Sequence, residues 1–301
     1  MRILILLTIA VLTFGCSNQD NNKSLNKDSL QVNHIDTTKN SIDVLNENTH
    51  YIGFVDYFYF SKTNEAYIEL YFLKDEILTE EYLQLGKLAD SLIYEDVENS
   101  RHRFPAGLSQ KHFDLRGLSK IAICDDNNKF VCDGNFVRVE YFDQNISPGF
   151  IAVYRTGKKI ESDNYYCISN FDKNPETTNY SITKDTLLTQ KILDRLNVLK
   201  PYFGLKNNGT HIHFENSDTI ISVVNSSNSV YIVLVSGEKF TVLYKSPNPE
   251  NFIKLQVVPL MKNKFPYILT RNAKPETDVI WDKLLYFNGT NYVNTNRQRI
   301  E

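Results

Sequence analysis

Read for polarity alone, the chain falls into three stretches. An apolar run from Ile3 to Leu12 opens it, residues 17 to about 49 show no sustained apolar period, and from Tyr51 apolar-rich segments alternate with polar breaks. In the third stretch, YIGFVDYFYF and AYIELYFL read as strands, with Ile52, Phe54, Phe58 and Phe60 on one pleated face. A helix is expected next, with Thr79 as its N-cap and Glu80 and Glu81 in its first turn. Leu85, Leu88, Ala89 and Leu92 supply its apolar stripe. Residues 95–119 follow neither period and read as a long irregular segment. Strands are then expected at Lys120–Cys124, Asn135–Asp143 and Phe150–Arg155. A second helix is predicted from Asp185 to Lys200, where Leu188, Ile192, Leu196 and Leu199 share a face and Pro201 ends the run.

The remainder reads as short strands divided by Asn, Gly, Ser and Pro: His211–Glu215, Thr219–Asn225, Val230–Ser236, Lys239–Ser246, Ile253–Val258, Tyr267–Arg271 and Val279–Phe287. Such even spacing argues an antiparallel meander. Asn288-Gly289 suits a two-residue type I′ turn pairing Phe287 with Thr290, and alternation along the last strand predicts a buried Trp281. The expected fold class is α+β and β-rich. Residues 51–205 form a mixed portion with one or two helices, and residues 206–301 an antiparallel β meander that can pack with it as one body.

Composition changes this picture little. With 42% hydrophobic and 12% aromatic residues the chain can bury a core, and its aromatics are 18 Tyr and 18 Phe against one Trp, which favours strands. The formal charge is −3, and removing residues 1–15 takes away Arg2 and no acid, leaving −4. That balance argues against a nucleic-acid partner, which calls for a basic surface.

The first stretch carries the most specific signal. MRILILLTIAVLTFGC has a basic start, an apolar run of about ten residues where a spanning helix needs about 20, and a small residue before cysteine. Leu12-Thr13-Phe14-Gly15-Cys16 resembles the lipobox of bacterial lipoproteins, although Phe14 is bulkier than the usual residue at its place. The resemblance covers residues 1–16 only. It implies removal of a signal peptide (1–15), lipid on the Cys16 thiol, and palmitate and diacylglycerol chains holding the mature protein to a membrane of a Gram-negative envelope. Ser17 after the cysteine implies the outer membrane over the inner one. Residues 16–50 then form a lipidated, flexible tether with a reach of roughly 30 Å. Within it, Asp28-Ser29-Leu30 and Asp36-Thr37-Thr38 resemble a short O-glycosylation acceptor that also recurs elsewhere in the chain by chance.

Candidate chemistry is sparse. Cys124 and Cys132, across a short loop, face each other if the loop has three residues; a disulfide and two buried thiols both fit. Cys167 reads as a core cysteine. His211, His213 and Glu215 alternate and offer two imidazoles and a carboxylate to zinc, or equally the wet side of a half-buried strand. Asp125 to Asn128 read as a turn, since a calcium loop's alternation breaks at Lys129. Gly204 and Gly209 lack the lysine of a phosphate loop. Within residues 101–120, Arg101, Arg103 and Arg116 suit an anionic ligand if they converge, and a solvated loop paired to local acids if they do not. No cofactor is implied. Two functions are open: a non-catalytic envelope protein that binds an envelope protein or anionic ligand from its tether, and a periplasmic or surface hydrolase with dispersed acidic residues.

Overall fold

The computed structural model describes residues 50–56, 64–70, 84–85, 87–88, 94–96, 101–142, 149–162, 164–170, 180–198, 209–274, 280–295 and 298–300. Cys16 with its lipobox, the tether, and Phe58 and Phe60 lie outside them. Among the described residues every strand pairing is antiparallel, and residues 40–301 belong to one compact unit.

The N-terminal strands close on themselves. β1 (His50–Phe54) pairs with β8 (Tyr166–Ser169), β8 with β5 (Lys120–Cys124), β5 with β6 (Phe130–Phe142), β6 with β7 (Gly149–Thr156), and β7 with β2 (Glu65–Glu69). The Asp56 N–H then donates to the Tyr67 carbonyl at 2.8 Å, returning β2 to the end of β1. Six strands thus run round a barrel filled by Val55, Ala66, Ile68, Ile121, Ile123, Tyr154 and Cys167. Gly53 is needed in this wall: a Cβ there would lie 2.5 Å from the hydroxyl of Tyr51, whose ring folds back over it. The long β6 carries β5 along its first half and β4 (Arg101–Phe104) along its second, and β3 (Tyr94–Asp96) pairs with β4. The chain's last strand, β18 (Arg299–Ile300), returns to β1.

Two further sheets stack on the barrel. A four-stranded sheet runs in the order β14 (Asn251–Lys262), β15 (Phe265–Ala273), β16 (Ile280–Phe287), β17 (Tyr292–Asn294). Consecutive residues on these strands point to two different cores. Val258, Tyr267, Leu269 and Leu284 meet Ile52, Phe54, Tyr166 and Ile168 on the outside of the barrel. Val257, Ile268 and Leu285 meet Ile212, Ile221, Val223 and Ile232 of the other sheet. That sheet has the order β13 (Lys239–Lys245), β12 (Val230–Ser236), β11 (Thr219–Asn225), β10 (Thr210–Phe214), β9 (Tyr180–Thr183). Helix α2 (Thr186–Leu196) covers its far face with Ile192 and Leu193 against Val224 and Val233. The order is therefore barrel, middle sheet, five-stranded sheet, helix.

Several expectations change in detail. Residues 101–112 are not irregular: they form β4 and a short helix, α1 (Ala106–His112). Gln84, Leu85, Lys87 and Leu88 are helical as expected, but Leu88 is 44% exposed and does not join Leu85 in the core. α2 ends at Leu196, short of Lys200, because Asn197 turns left-handed (φ 53°) and closes the last carbonyls. The segment from Tyr180 to α2 belongs to the five-stranded sheet, upstream of the expected boundary near residue 205.

The closing hairpin has a four-residue loop, since Phe287 pairs with Tyr292 and the Asn288 side chain accepts the N–H groups of Thr290 and Asn291. Trp281 is half-buried, because its face continues to Lys283, whose ammonium sits 5.9 Å from the indole centroid.

Candidate functional site

A cleft of about 690 Å³ opens where the three layers meet. Its walls are the β5–β6 turn and the start of β8 from the barrel, β9 and Lys184 from the five-stranded sheet, and the first half of β14 from the middle sheet. Both β9 and β14 are the end strands of their sheets among the described residues.

The turn is built locally. The Asp125 carboxylate accepts the N–H groups of Asn127 (3.0 Å) and Lys129 (2.8 Å), and Asn128 takes φ 65° to reverse the chain. The Asn128 amide oxygen then accepts from the Gln256 amide of β14 and the Tyr166 phenol of β8, both at 2.8 Å, locking the turn to the middle sheet. Lys254 lies with its ammonium 4.2 Å from the Phe54 centroid at the cleft's edge. Side-chain amides and hydroxyls dominate the lining, and Ile182 (40% exposed) and Ile253 (49%) flank it.

Beside the cleft stands a knot of charge. Arg271 of β15 donates through Nε and Nη2 to both oxygens of Asp282 on β16 (2.7 and 2.8 Å) and through Nη1 to Asp56 of the barrel. Burial raises Asp56 above the usual carboxylate range against the pull of Arg271. Crowding around its carboxyl, reinforced by the charges of Asp56 and Asp282, pushes Glu69 up to about 7, although the residue itself is exposed. These acids face Arg271 and do not line the cleft.

His211 is a third polar centre, fully buried between β10 and α2. Its Nε2 lies 2.9 Å from the Asp185 carbonyl, which can only accept, so Nε2 carries the proton and Nδ1 accepts from the Ser222 hydroxyl at 2.9 Å. Burial lowers its pKa and keeps it neutral. Ser, His and Asp thus meet, yet Ser222 is buried and the Asp185 carboxylate caps α2 instead. The arrangement is a structural clasp.

The residues singled out from sequence disperse. Arg101 is 0% exposed on the outside of the barrel, its Nε donating to Glu140 at 2.7 Å and its guanidinium 5.5 Å above the Tyr67 ring. Arg103 is two residues further along the same strand. Arg116 grips Asp114 through two 2.9 Å bonds, beside Arg299, which donates to the Asp114 carbonyl. Arg101 and Arg116 therefore serve separate ion pairs, Arg101 with Glu140 and Arg116 with Asp114.

The zinc arrangement also fails: both His211 nitrogens are committed, His213 meets Thr183 at 2.8 Å, and Glu215 lies beyond the strand end. No group of three or more metal-ligating side chains occurs among the described residues.

A bulge between Ile123 and Cys124 pairs Cys132 with Ile123 and sends the two cysteines into different cores, so both thiols are free. Cys167 is free and buried as well. Burial raises all three, Cys124 to about 12, which leaves no thiolate nucleophile at neutral pH.

The sequence reading did not find the cleft. Its residues come from positions 54 to 257, and only the Asn-rich turn carried a local signal. The geometry defines a layered, antiparallel β body with a polar cleft at the junction of its sheets. No protein-family model, curated protein or solved structure matches the chain.

Proposed function

We propose that the protein is an envelope lipoprotein, anchored through lipid on Cys16 at the outer membrane, whose folded body binds a partner or ligand without transforming it. The observation that carries the binding reading is the cleft between β9 and β14, within the size range of about 300–1,000 Å³ usual for ligand sites. Its lining holds hydrogen-bond donors and acceptors in quantity. In this reading residues 51–205 keep a mixed α+β character, residues 17–49 hold the body clear of the bilayer, and the address needs neither cofactor nor nucleic acid. The test is capture from the native envelope with full-length protein and its Thr183→Trp variant, which places an indole at the cleft. The reading expects palmitate incorporation that is lost in Cys16→Ala, and captured material that Thr183→Trp no longer retains. Unlabelled wild-type protein overturns the anchor, and capture that survives Thr183→Trp overturns the cleft.

One arrangement favours hydrolysis as a second reading: Glu69 lies beside the Asp56–Arg271–Asp282 cluster, where burial and the charges of Asp56 and Asp282 raise its carboxyl to about 7. Hydrolysis of an envelope polymer that disappears in Glu69→Gln would establish it; no turnover by wild type removes it.

A further inference from the structure

We infer that the cleft takes an extended acidic peptide that adds a strand to the edge of β9, an inference that rests on the cleft being the binding site. The first ground is how the strands meet the cavity. A strand that turns one pleated face to a cavity lines it with alternate residues. Here β14 contributes every residue from Phe252 to Val257, and Ile182, Thr183 and Lys184 follow one another on the wall formed by β9. Both strands therefore present an edge, with its backbone N–H and C=O groups, rather than a face.

The two edges are not equally open. On β14 the Asn225 side chain holds both the N–H and the C=O of Phe252 at 2.9 Å, the Gln256 amide donates to the Val257 carbonyl at 2.9 Å, and the register shifts between Phe252 and Lys254. At the other end of the five-stranded sheet, β13 pairs with β12 through a register shift and carries a lysine at each end, Lys239 and Lys245. Bulges, lysines and cover over the backbone are the usual means of blunting a sheet edge. β9 has neither bulge nor lysine within its span: Tyr180–Thr183 runs in unbroken register with β10, and no side chain among the described residues caps its backbone. In an antiparallel pair alternate residues turn both backbone groups toward the same neighbour, so half of the four residues of β9 aim theirs away from β10. An incoming strand satisfies them, and the exposed side chains of Ile182 and Ile253 give its alternate residues an apolar contact.

Charge selects the peptide. Lys184 and Lys254 line the cleft with Asp126, two positive charges to one negative in a chain whose formal balance is −3. The Lys254 ammonium lies over the Phe54 ring and 3.5 Å from the Tyr165 carbonyl, both neutral groups. Asp56, the barrel acid that feels its charge, is already held by Arg271. Acidic side chains on an incoming strand gain from this balance, and basic ones do not.

The experiment follows dye-labelled peptides by fluorescence anisotropy on full-length protein in non-ionic detergent. The probes are four hexapeptides in which Glu alternates with Val, Ile, Thr or Tyr, and the same four with Lys in place of Glu. At least one acidic probe should bind, about tenfold tighter than its Lys counterpart and more weakly as salt rises. Methylating every second backbone nitrogen of that probe should abolish binding in one frame and spare it in the other, since only alternate N–H groups face the edge. Lys184→Ala should weaken binding about two- to fivefold without moving the melting temperature, and Thr183→Trp should abolish it. No binding by any acidic probe, equal binding by the Lys probes, or methylation that acts alike in both frames overturns the peptide assignment. Where no probe binds but Thr183→Trp still blocks envelope capture, the peptide falls and the cleft stands. Where capture ignores Thr183→Trp, the cleft itself falls.

Discussion

Arginine 101 shows how far a side chain's neighbours govern its meaning. In sequence it belongs to a basic run suited to an anion; in the fold it is walled in by Glu140, Glu65 and Tyr67. A buried pair is weak evidence for stability as a whole, but removing one partner strands the other charge. Glu140→Ala should therefore lower unfolding stability by about 3–5 kcal/mol in urea melts. Loss below 1 kcal/mol would mean that Arg101 reaches water.

His211 permits a prediction with a defined sign. Its pKa in the folded protein is depressed by burial, so the unfolded chain takes up the proton first. Its contribution is complete above the unfolded value near 6.5 and is lost as pH falls from there toward the folded value. Asp114, held down near 2 despite its burial by the bonds and charges of Arg116 and Arg299, acts at more acid pH. Between pH 7.5 and 5.5, wild-type stability should drop more than that of His211→Asn; equal slopes would mean that His211 is accessible to solvent.

At the scale of elements, the strands of the meander were legible because period-two alternation and turn residues mark them, and Thr219–Asn225 and Val230–Ser236 coincide with expectation. Turns were harder. Asn288-Gly289 looked like the two-residue turn and is a four-residue loop, whereas Asn263-Lys264, with φ of 52° and 70°, is the tight turn joining Lys262 to Phe265. Six of the eight non-glycine residues at positive φ among those described are Asn, so in this chain Asn takes positions where glycine is common. The helix at α2 was legible through its period and its Asp185 cap.

What sequence concealed was the double burial of the middle sheet. Adjacent apolar residues on an antiparallel strand resemble a lapse in alternation until both faces are seen to be covered. Leu284→Ala and Leu285→Ala should each cost about 2–5 kcal/mol, because each opens a cavity in a different core. If either is neutral in thermal denaturation, one face of that sheet is open.

For the molecule as a whole, the middle sheet joins the barrel to the five-stranded sheet through continuous cores, and β18 brings the C-terminal end back to β1. One calorimetric unfolding transition is expected for residues 50–300; two separated transitions would mean the layers are independent. The cleft exists only at this scale. Its walls come from Asp126–Asn128, Tyr180–Lys184 and Phe252–Gln256, which no local pattern brings together and which the stacking of three sheets does. The lipidated Cys16 was proposed from sixteen residues because a processing signal is read as a linear string. A binding site built by tertiary contact is not.

The most direct measurement is hydrogen–deuterium exchange of the full-length protein with and without ligand recovered from the native envelope. The account predicts joint protection of three segments, 126–128, 180–184 and 252–256, with the outer side of the barrel around Arg101 and Arg116 unchanged. Protection confined to the barrel's outer side, or spread over surfaces away from those three segments, would contradict it.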